Sequence, residues 1–291
     1  MATSNRSREE TIKANGLQFH YQEWGDVRTK HALILLHGFA ETKRIWEEVG
    51  QELAREYRVI ALDQRGHGSS ASAPDNDYSR ATQVEDLEAV ITTLGLRTVT
   101  LVGHAMGGAN AICYAAEHPD VVTALVIIET APEVLRTGME RLRKLTSGPS
   151  EFTSLDEVMD LYRESYPESN TEQLERRVRG SIVATDDGAY TWAFDRAFRD
   201  SRMRPPEPDP GQRRLNDLWD CVDRVQCPVM IVRGAETDML TPEAIQRVQR
   251  RIIGSRVSLI EGAGHWVPTD QPSSLSLNIR EFLQNLSSGP A

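Results

Sequence analysis

The sequence has few cysteines and no long apolar run, and these absences exclude several classes of protein. Its 291 residues contain three cysteines, Cys113, Cys221 and Cys227, too few and unsuitably spaced for a disulfide framework or a zinc site. No apolar run approaches the roughly 20 residues that a membrane-spanning helix needs. The start, MATSNRSREE, lacks the apolar segment of a signal peptide. We therefore expect a cytoplasmic protein that does not span a membrane.

The sequence also lacks an excess of positive charge. Its 33 basic and 43 acidic residues give a formal net charge of −10. Because such a surface repels polyanions, nucleic acid and anionic membranes are poor partners. The basic clusters at 141–144 and 176–179 lie among acidic residues, which is typical of solvated helix faces. We expect a small-molecule partner, and the sequence leaves the oligomeric state open between a monomer and a homodimer.

What the sequence does contain is an alternation of short apolar runs and helical patterns. This alternation predicts an α/β fold with a mostly parallel, eight-stranded sheet covered by helices. A hairpin turning at Asn15-Gly16 supplies an antiparallel start. Six runs rich in Val, Ile and Leu are predicted strands, at 31–38, 57–63, 98–104, 122–129, 227–234 and 255–262. Predicted helices follow at 43–56, 80–95, 106–118, 242–252 and 271–286.

The alternation stops after Glu129, where only amphipathic helical patterns continue for about eighty residues. A plain connection of that length is uncommon in a compact domain. We therefore predict a helical cap at 132–211, inserted into a core domain formed by 11–131 and 212–287. Residues 1–10 and 288–291 are predicted to be flexible termini.

The stretch LVGHAMGG, at 101–108, matches the strand–turn–helix pattern of a nucleophile elbow, G-x-S-x-G. Gly103 and Gly107 flank the apex, where side chains would collide as the strand turns into the helix. Strain in the apex backbone is a cost that functional sites tolerate. The apex itself is Ala105, which carries no reactive atom. The pattern predicts a site here with a methyl group where a nucleophile would stand.

Two further loops, at the carboxyl ends of predicted strands, contain the other groups that such a site needs. In HGFAETKRIW, the turn can direct the backbone N–H of Phe39 to the elbow, and the N–H of Met106 would be the second donor of an oxyanion hole. In GAGHW, the glycine-flanked His265 is the predicted general base. His104, inside the elbow, is expected to pack beneath it.

A carboxylate is needed to orient His265 and to stabilise its imidazolium. Asp238, in RGAETDMLTPE after a predicted strand, is the favoured candidate. Glu236 competes with it in the same loop, and Glu129 competes from the end of a different strand.

Taken together, these motifs resemble the α/β-hydrolase superfamily over about residues 11–286. HGFAET, DQRGHGSS, VGHAMGG, GAETDML and GAGHW occur in the superfamily's order of nucleophile, acid and histidine. The resemblance implies a Ser-Asp-His triad, an oxyanion hole and a helical cap that shapes the pocket. It implies chemistry that needs neither a cofactor nor a metal.

Three interpretations of Ala105 stay open. In the first, serine has been deliberately replaced by alanine, so that substrate binds without being consumed. In the second, a natural enzyme uses only His265 and Asp238 for proton abstraction, resembling cofactor-free oxygenases and lyases of the superfamily. In the third, the scaffold binds a ligand without catalysis. The sequence does not decide whether Ala105 is natural or engineered.

Aromatic residues make up only 6% of the chain, yet several fall in the predicted cap. At helical spacing such residues more often form the core of a cap than contact a ligand. We expect Tyr166 and Trp192 to reach the pocket, together with Gly38, Phe39 and Trp266. Such a pocket favours a medium-sized hydrophobic or aromatic ester or lactone. Carbon–carbon bond hydrolysis of ring-cleavage products also fits.

Overall fold

The computed structural model describes residues 7–199 and 217–287. Its strands, in chain order, are β1 (Arg8–Ala14), β2 (Leu17–Trp24), β3 (His31–Leu36), β4 (Val59–Leu62), β5 (Thr98–His104), β6 (Val122–Ile128), β7 (Glu151–Phe152), β8 (Ile182–Ala184), β9 (Tyr190–Trp192), β10 (Val229–Gly234) and β11 (Arg256–Ile260). Its α-helices are α1 (Glu47–Leu53), α2 (Arg80–Thr93), α3 (Met106–Glu117), α4 (Arg136–Thr146), α5 (Leu155–Ser165), α6 (Thr171–Arg179), α7 (Leu218–Arg224), α8 (Pro242–Arg251), α9 (Val267–Asp270) and α10 (Pro272–Ser287). None of these helices is both long enough and apolar enough to cross a membrane.

Eight strands form the central sheet, in the spatial order β1-β2-β4-β3-β5-β6-β10-β11. The pairings from β4 to β11 are parallel, and β1 and β2 join antiparallel. The predicted α/β fold with a mostly parallel, eight-stranded sheet is therefore confirmed. The carboxyl ends of β3, β5, β6 and β10 meet at one edge, which is where the loops singled out in the sequence come together.

The β1–β2 hairpin turns at Asn15 and Gly16, as predicted. Their φ angles are 43° and 74°, and two positive φ angles are what a tight two-residue hairpin turn requires. The pairing reaches back to Arg8, which faces Glu23. The predicted flexible terminus at 1–10 therefore extends too far, because residues 8–10 are already in a strand.

Two hydrophobic layers enclose the sheet, and the side chains of its strands alternate between them. In β3, Ile34 packs in the layer that includes α2 and α3, whereas Leu33 and Leu35 pack in the layer that includes α1 and α10. A strand with both faces covered has no solvent-exposed side, which explains its almost continuous apolar sequence. The buried sheet thus forms a rigid base for the loops at its edge.

The segment between β6 and β10 contains the helices α4, α5 and α6, but it is not purely helical. Strands β7, β9 and β8 form a small antiparallel sheet within it. The expectation that this segment lacks strands was wrong, because strands of two or three residues are too short to show an alternating pattern. Residues 200–211 of the predicted cap, and the termini at 1–6 and 288–291, lie outside the described residues.

Candidate active site

Ala105 occupies the sharp turn between β5 and α3, with φ 47° and ψ −111°. Its backbone N–H donates to the carbonyl of Ile128 at 3.0 Å, which ties the turn to the neighbouring strand. A Cβ atom on Gly103 would lie 2.5 Å from the carbonyl oxygen of Gly107, and one on Gly107 would lie 2.4 Å from that of Leu36. Both positions therefore require glycine. The positive φ at a non-glycine apex costs on the order of 1–3 kcal/mol.

A cavity of about 520 Å³ opens beside this turn. Most of its wall is apolar. Of its polar residues, Glu41, Glu129 and His265 lie in loops identified from the sequence, whereas Arg80 and Asp217 come from elsewhere. Site residues predicted from the sequence that line it are Gly38, Phe39, Ala105, Met106, His265 and Trp266. Apolar contributors from elsewhere include Pro132, Val134, Met139, Leu142, Leu218, Trp219 and Met239. The structure thus places the methyl group of Ala105 and the imidazole of His265 in the wall of one cavity.

The carboxylate that contacts His265 is Glu129. Glu129 Oε2 accepts from Nδ1 of His265 at 3.2 Å and from the hydroxyl of Thr237 at 2.6 Å, while Oε1 accepts the backbone N–H of Gly234 at 2.8 Å. The Glu129 side chain is fully buried, so these three donors replace the water that the carboxylate loses. Glu129 therefore fixes the orientation of the ring and leaves Nε2 as the nitrogen available to a ligand.

Asp238 forms no hydrogen bond or ion pair with His265 among the described residues, which corrects the sequence-based expectation. Its Oδ2 accepts instead from the guanidinium of Arg141 at 3.1 Å, and its side chain is about a third exposed. Asp238 lines a separate small cavity of about 30 Å³, whose wall also includes His265. Glu236, the second candidate in that loop, lines the same small cavity and is exposed.

The two predicted oxyanion-hole residues, Phe39 and Met106, lie on the loop after β3 and at the first residue of α3. Both line the large cavity. The N-terminus of α3 adds the positive end of a helix dipole to this part of the wall. The Phe39 ring packs against Phe194 with a centroid distance of 5.0 Å and contacts His67 edge-on. These contacts hold the loop in place.

Beneath the elbow, His104 and Glu41 form a buried pair that the sequence analysis did not foresee. Nδ1 of His104 lies 2.7 Å from Glu41 Oε2, and Nε2 lies 2.9 Å from the backbone carbonyl of His265. Glu41 Oε2 also accepts the backbone N–H of Gly38 at 2.6 Å. The pair thereby links the oxyanion loop, the elbow and the histidine loop. The sequence feature that could have indicated this pair is Glu41 itself, a glutamate three residues after the His37-Gly38 turn.

His67 lies in a different environment, buried among aromatic rings. Its Nδ1 donates to the carbonyl of Arg65 at 3.0 Å, and Nε2 has no hydrogen-bond partner among the described residues. Burial and the nearby His37 lower the pKa of His67 to about 3. His67 is therefore neutral at physiological pH and acts as a packing group behind Phe39.

Two residues predicted to bind substrate lie away from the large cavity. Trp192 packs within the cap against Phe152, at a centroid distance of 5.4 Å, and its indole N–H donates to the carbonyl of Pro149 at 2.9 Å. The Tyr166 ring packs against Trp266 in a tilted arrangement, with a centroid distance of 5.1 Å, and Tyr166 lines the small cavity. Both expectations are corrected, because these rings are buried in the hydrophobic packing of the segment between β6 and β10.

Metal chemistry has no evident ligand set in the part of the chain that the structure describes. Within residues 7–199 and 217–287, no three His, Cys, Asp or Glu side chains are grouped so that they could hold a metal ion. The polar side chains in the wall of the large cavity include the His265–Glu129 pair and the His104–Glu41 pair, together with Arg80, Thr130 and Asp217. Such an arrangement suits proton transfer and the stabilisation of an oxyanion.

The chain belongs to the alpha/beta hydrolase fold family, whose family model matches residues 31–272. It is 30% identical over 269 residues to esterase Rv0045c of Mycobacterium tuberculosis, covering 89% of this chain and 84% of that protein. It is 26% identical over 252 residues to the 2-(acetamidomethylene)succinate hydrolase of Mesorhizobium japonicum, covering 86% and 87%. An α/β hydrolase structure from Novosphingobium aromaticivorans superimposes with a TM-score of 0.82 at 24% identity, over 96% and 98% of the two chains.

Proposed function

We propose that the large cavity is an acyl-binding site of the serine-hydrolase type, in which Ala105 stands in place of the nucleophilic serine. The observation that carries this proposal is the wall of the cavity itself. It brings together the elbow apex, the oxyanion loop and a histidine already oriented by a buried carboxylate. The chain as it stands would bind an ester or lactone without forming an acyl-enzyme.

In the variant Ala105→Ser, each remaining group has a defined task. His265, held by Glu129 rather than by Asp238, takes the proton of the introduced serine hydroxyl on Nε2 as the serine oxygen attacks the carbonyl carbon. The backbone N–H groups of Phe39 and Met106 stabilise the oxyanion. The imidazolium then protonates the departing alcohol, and water, activated by the same imidazole, hydrolyses the acyl-enzyme.

The cavity supports a medium-sized hydrophobic or aromatic substrate. Its volume of about 520 Å³ lies within the range of small-molecule sites, and its apolar wall includes methionine, leucine and aromatic side chains. The named activities of the relatives, an esterase and a hydrolase of an amide-bearing succinate, agree with hydrolysis at a carbonyl group. Carboxylic esters and lactones are therefore the first substrates to test.

The test is to supply the missing oxygen. Ala105→Ser should hydrolyse p-nitrophenyl butyrate, p-nitrophenyl hexanoate or a δ-lactone at least 10³-fold faster than the parent chain. The physical reason is that loss of such a serine costs up to roughly 10⁶ in turnover. Ala105→Gly is the matched control, because it alters the same position without adding an oxygen. An Ala105→Ser protein that stays inert across the panel would contradict the proposal.

A second candidate function rests on the pair of His265 and Glu129, which is complete without a serine. Such a pair can act as a general base on water or on an acidic C–H group of a bound ligand. This function predicts activity in the chain as it stands and its loss in His265→Ala. Tight binding with no turnover in either the parent or Ala105→Ser would instead identify a non-catalytic binding protein.

A further inference from the structure

Glu41 has one carboxylate oxygen that no described residue satisfies. Oε2 accepts both the backbone N–H of Gly38 and the imidazole of His104. Oε1 accepts no hydrogen bond from the described residues, although Glu41 is 5% exposed and forms part of the wall of the large cavity. Oε1 is nevertheless not a fully enclosed atom. Its accessible side is therefore the cavity, and a ligand there can supply the missing donor.

The charge state of this pair makes Glu41 a strong acceptor. Burial acts to raise the pKa of Glu41, but the charge and hydrogen bond of His104, with the N–H of Gly38, lower it overall. Burial acts to lower the pKa of His104, but Glu41 raises it overall. Because Nε2 of His104 faces a carbonyl oxygen, that nitrogen carries a proton. Glu41 is thus an anion balanced by its imidazolium partner.

The position of this carboxylate is close to where a ligand carbonyl would react. A Cβ atom placed on Gly38 would lie 2.6 Å from Glu41 Oε2, 2.9 Å from Nδ1 of His104 and 3.3 Å from Cβ of Ala105. The three side chains therefore converge on one face of the oxyanion loop. Because Glu41, Phe39 and Met106 line the same cavity, we expect a group bound by Glu41 to lie within a few bonds of a carbonyl held at Phe39 and Met106.

We propose that Glu41 is a specificity-determining residue, whose Oε1 accepts a hydrogen bond from a hydroxyl or amide N–H on the ligand near its carbonyl. This inference rests on the proposed function, since it takes the carbonyl to lie beside Ala105. A neutral donor fits better than an ammonium group, because His104 already balances the charge of Glu41. Glu41 thus selects β-hydroxy or β-amido acyl compounds over unsubstituted ones.

The test uses three ketones that cannot be hydrolysed: 4-phenylbutan-2-one, its 4-hydroxy derivative and its 4-methoxy derivative. Binding to the unaltered chain is measured by calorimetry, so no turnover is needed. The hydroxy ketone should bind roughly tenfold to a hundredfold tighter than the other two, as expected for a hydrogen bond to a charged group. The methoxy ketone controls for size and polarity, because it can accept but not donate.

The variant Glu41→Gln replaces the free acceptor with an amide N–H₂ and should reduce the hydroxy-to-methoxy ratio to near one. Glu236→Gln makes the same chemical change on an exposed side chain outside the large cavity and should keep the ratio. Equal binding of the three ketones by the unaltered chain would overturn the role of Glu41 while leaving an acyl-binding cavity intact. Binding of none of them would overturn both the role of Glu41 and the proposed function.

Discussion

At the scale of single residues, Glu129 and Asp238 differ as possible partners of His265 because their carboxylates form different hydrogen bonds. Glu129 accepts three hydrogen bonds from the elements around His265, including one from its ring. Asp238 is partly exposed and paired with Arg141. A buried, fully satisfied carboxylate is a rigid partner for an imidazolium, whereas an exposed ion pair is screened by solvent.

This assignment predicts different consequences for two isosteric changes made in the Ala105→Ser background. Glu129→Gln should lower kcat for p-nitrophenyl butyrate by about 10²–10⁴, because an amide cannot stabilise the imidazolium as a carboxylate does. Asp238→Asn should change kcat by less than about threefold. Steady-state kinetics of the two variants measures both changes in kcat. A larger loss of kcat in Asp238→Asn than in Glu129→Gln would identify Asp238 as the carboxylate that assists His265.

Sequence motifs alone identify His265 and Ala105 as candidate site residues, which the structure places in one cavity, but they could not choose the carboxylate that contacts His265. The glycines around positions 103, 107, 262 and 264 identify the two loops, since glycine is needed where a backbone turns or approaches another closely. Glu129 and Asp238 both follow strands that end at the same edge of the sheet. What separates them is the direction of each side chain, which depends on the packing of β6 against β10 and on Arg141 from the cap.

At the scale of elements, the turn from β5 into α3 depends on the close approach of backbone to backbone. A Cβ atom on Gly107 would meet the carbonyl oxygens of Leu36 and His37 at 2.4 Å and 2.6 Å. Neither oxygen can move without displacing β3 or the oxyanion loop. The conformation of the elbow therefore depends on close packing between β3, the oxyanion loop and the start of α3.

Gly107→Ala should lower the free energy of unfolding by about 3 kcal/mol, because the added methyl group overpacks a rigid site. Urea denaturation followed by circular dichroism measures this loss. Gly148→Ala is the matched control, since the nearest atom to its new Cβ would be 3.7 Å away, and its effect should stay within about 0.5 kcal/mol. Equal effects at the two positions would show that the close approach does not constrain the turn.

Most elements of the core follow from the sequence, because their signals are long and regular. The six apolar runs became β3, β4, β5, β6, β10 and β11, and the hairpin at Asn15-Gly16 became β1 and β2. The cap strands could not be foreseen. Pairings such as that of Val183 with Thr191 depend on the folded cap rather than on a local pattern.

At the scale of the whole molecule, a buried ion pair joins the segment between β6 and β10, the predicted cap, to the loop region after β11. Arg177, on α6, donates to Asp270 Oδ1 at 2.7 Å, and both side chains are almost fully buried. Asp270 Oδ2 accepts the backbone N–H of Gly264 at 3.0 Å, one residue before His265. Docking of the cap therefore also holds the histidine loop.

Asp270→Asn should destabilise the protein by about 3–5 kcal/mol, because it leaves the charge of Arg177 buried without a counterion. Glu48→Gln breaks the more exposed cap–core pair with Arg176 and should cost less than about 1 kcal/mol. Urea unfolding of the two variants against the parent gives both values. A cost for Asp270→Asn no larger than that for Glu48→Gln would contradict this role of the pair.

The most direct test of the account is whether an oxygen at position 105 becomes covalently acylated. Ala105→Ser, mixed with p-nitrophenyl butyrate and quenched in acid, should gain the mass of one butyryl group in intact mass spectrometry, located by peptide mapping to residue 105. The double variant that combines Ala105→Ser with His265→Ala should gain none. An introduced serine that stays unmodified, or modification of a different residue, would contradict the proposal that this cavity lacks only a nucleophile.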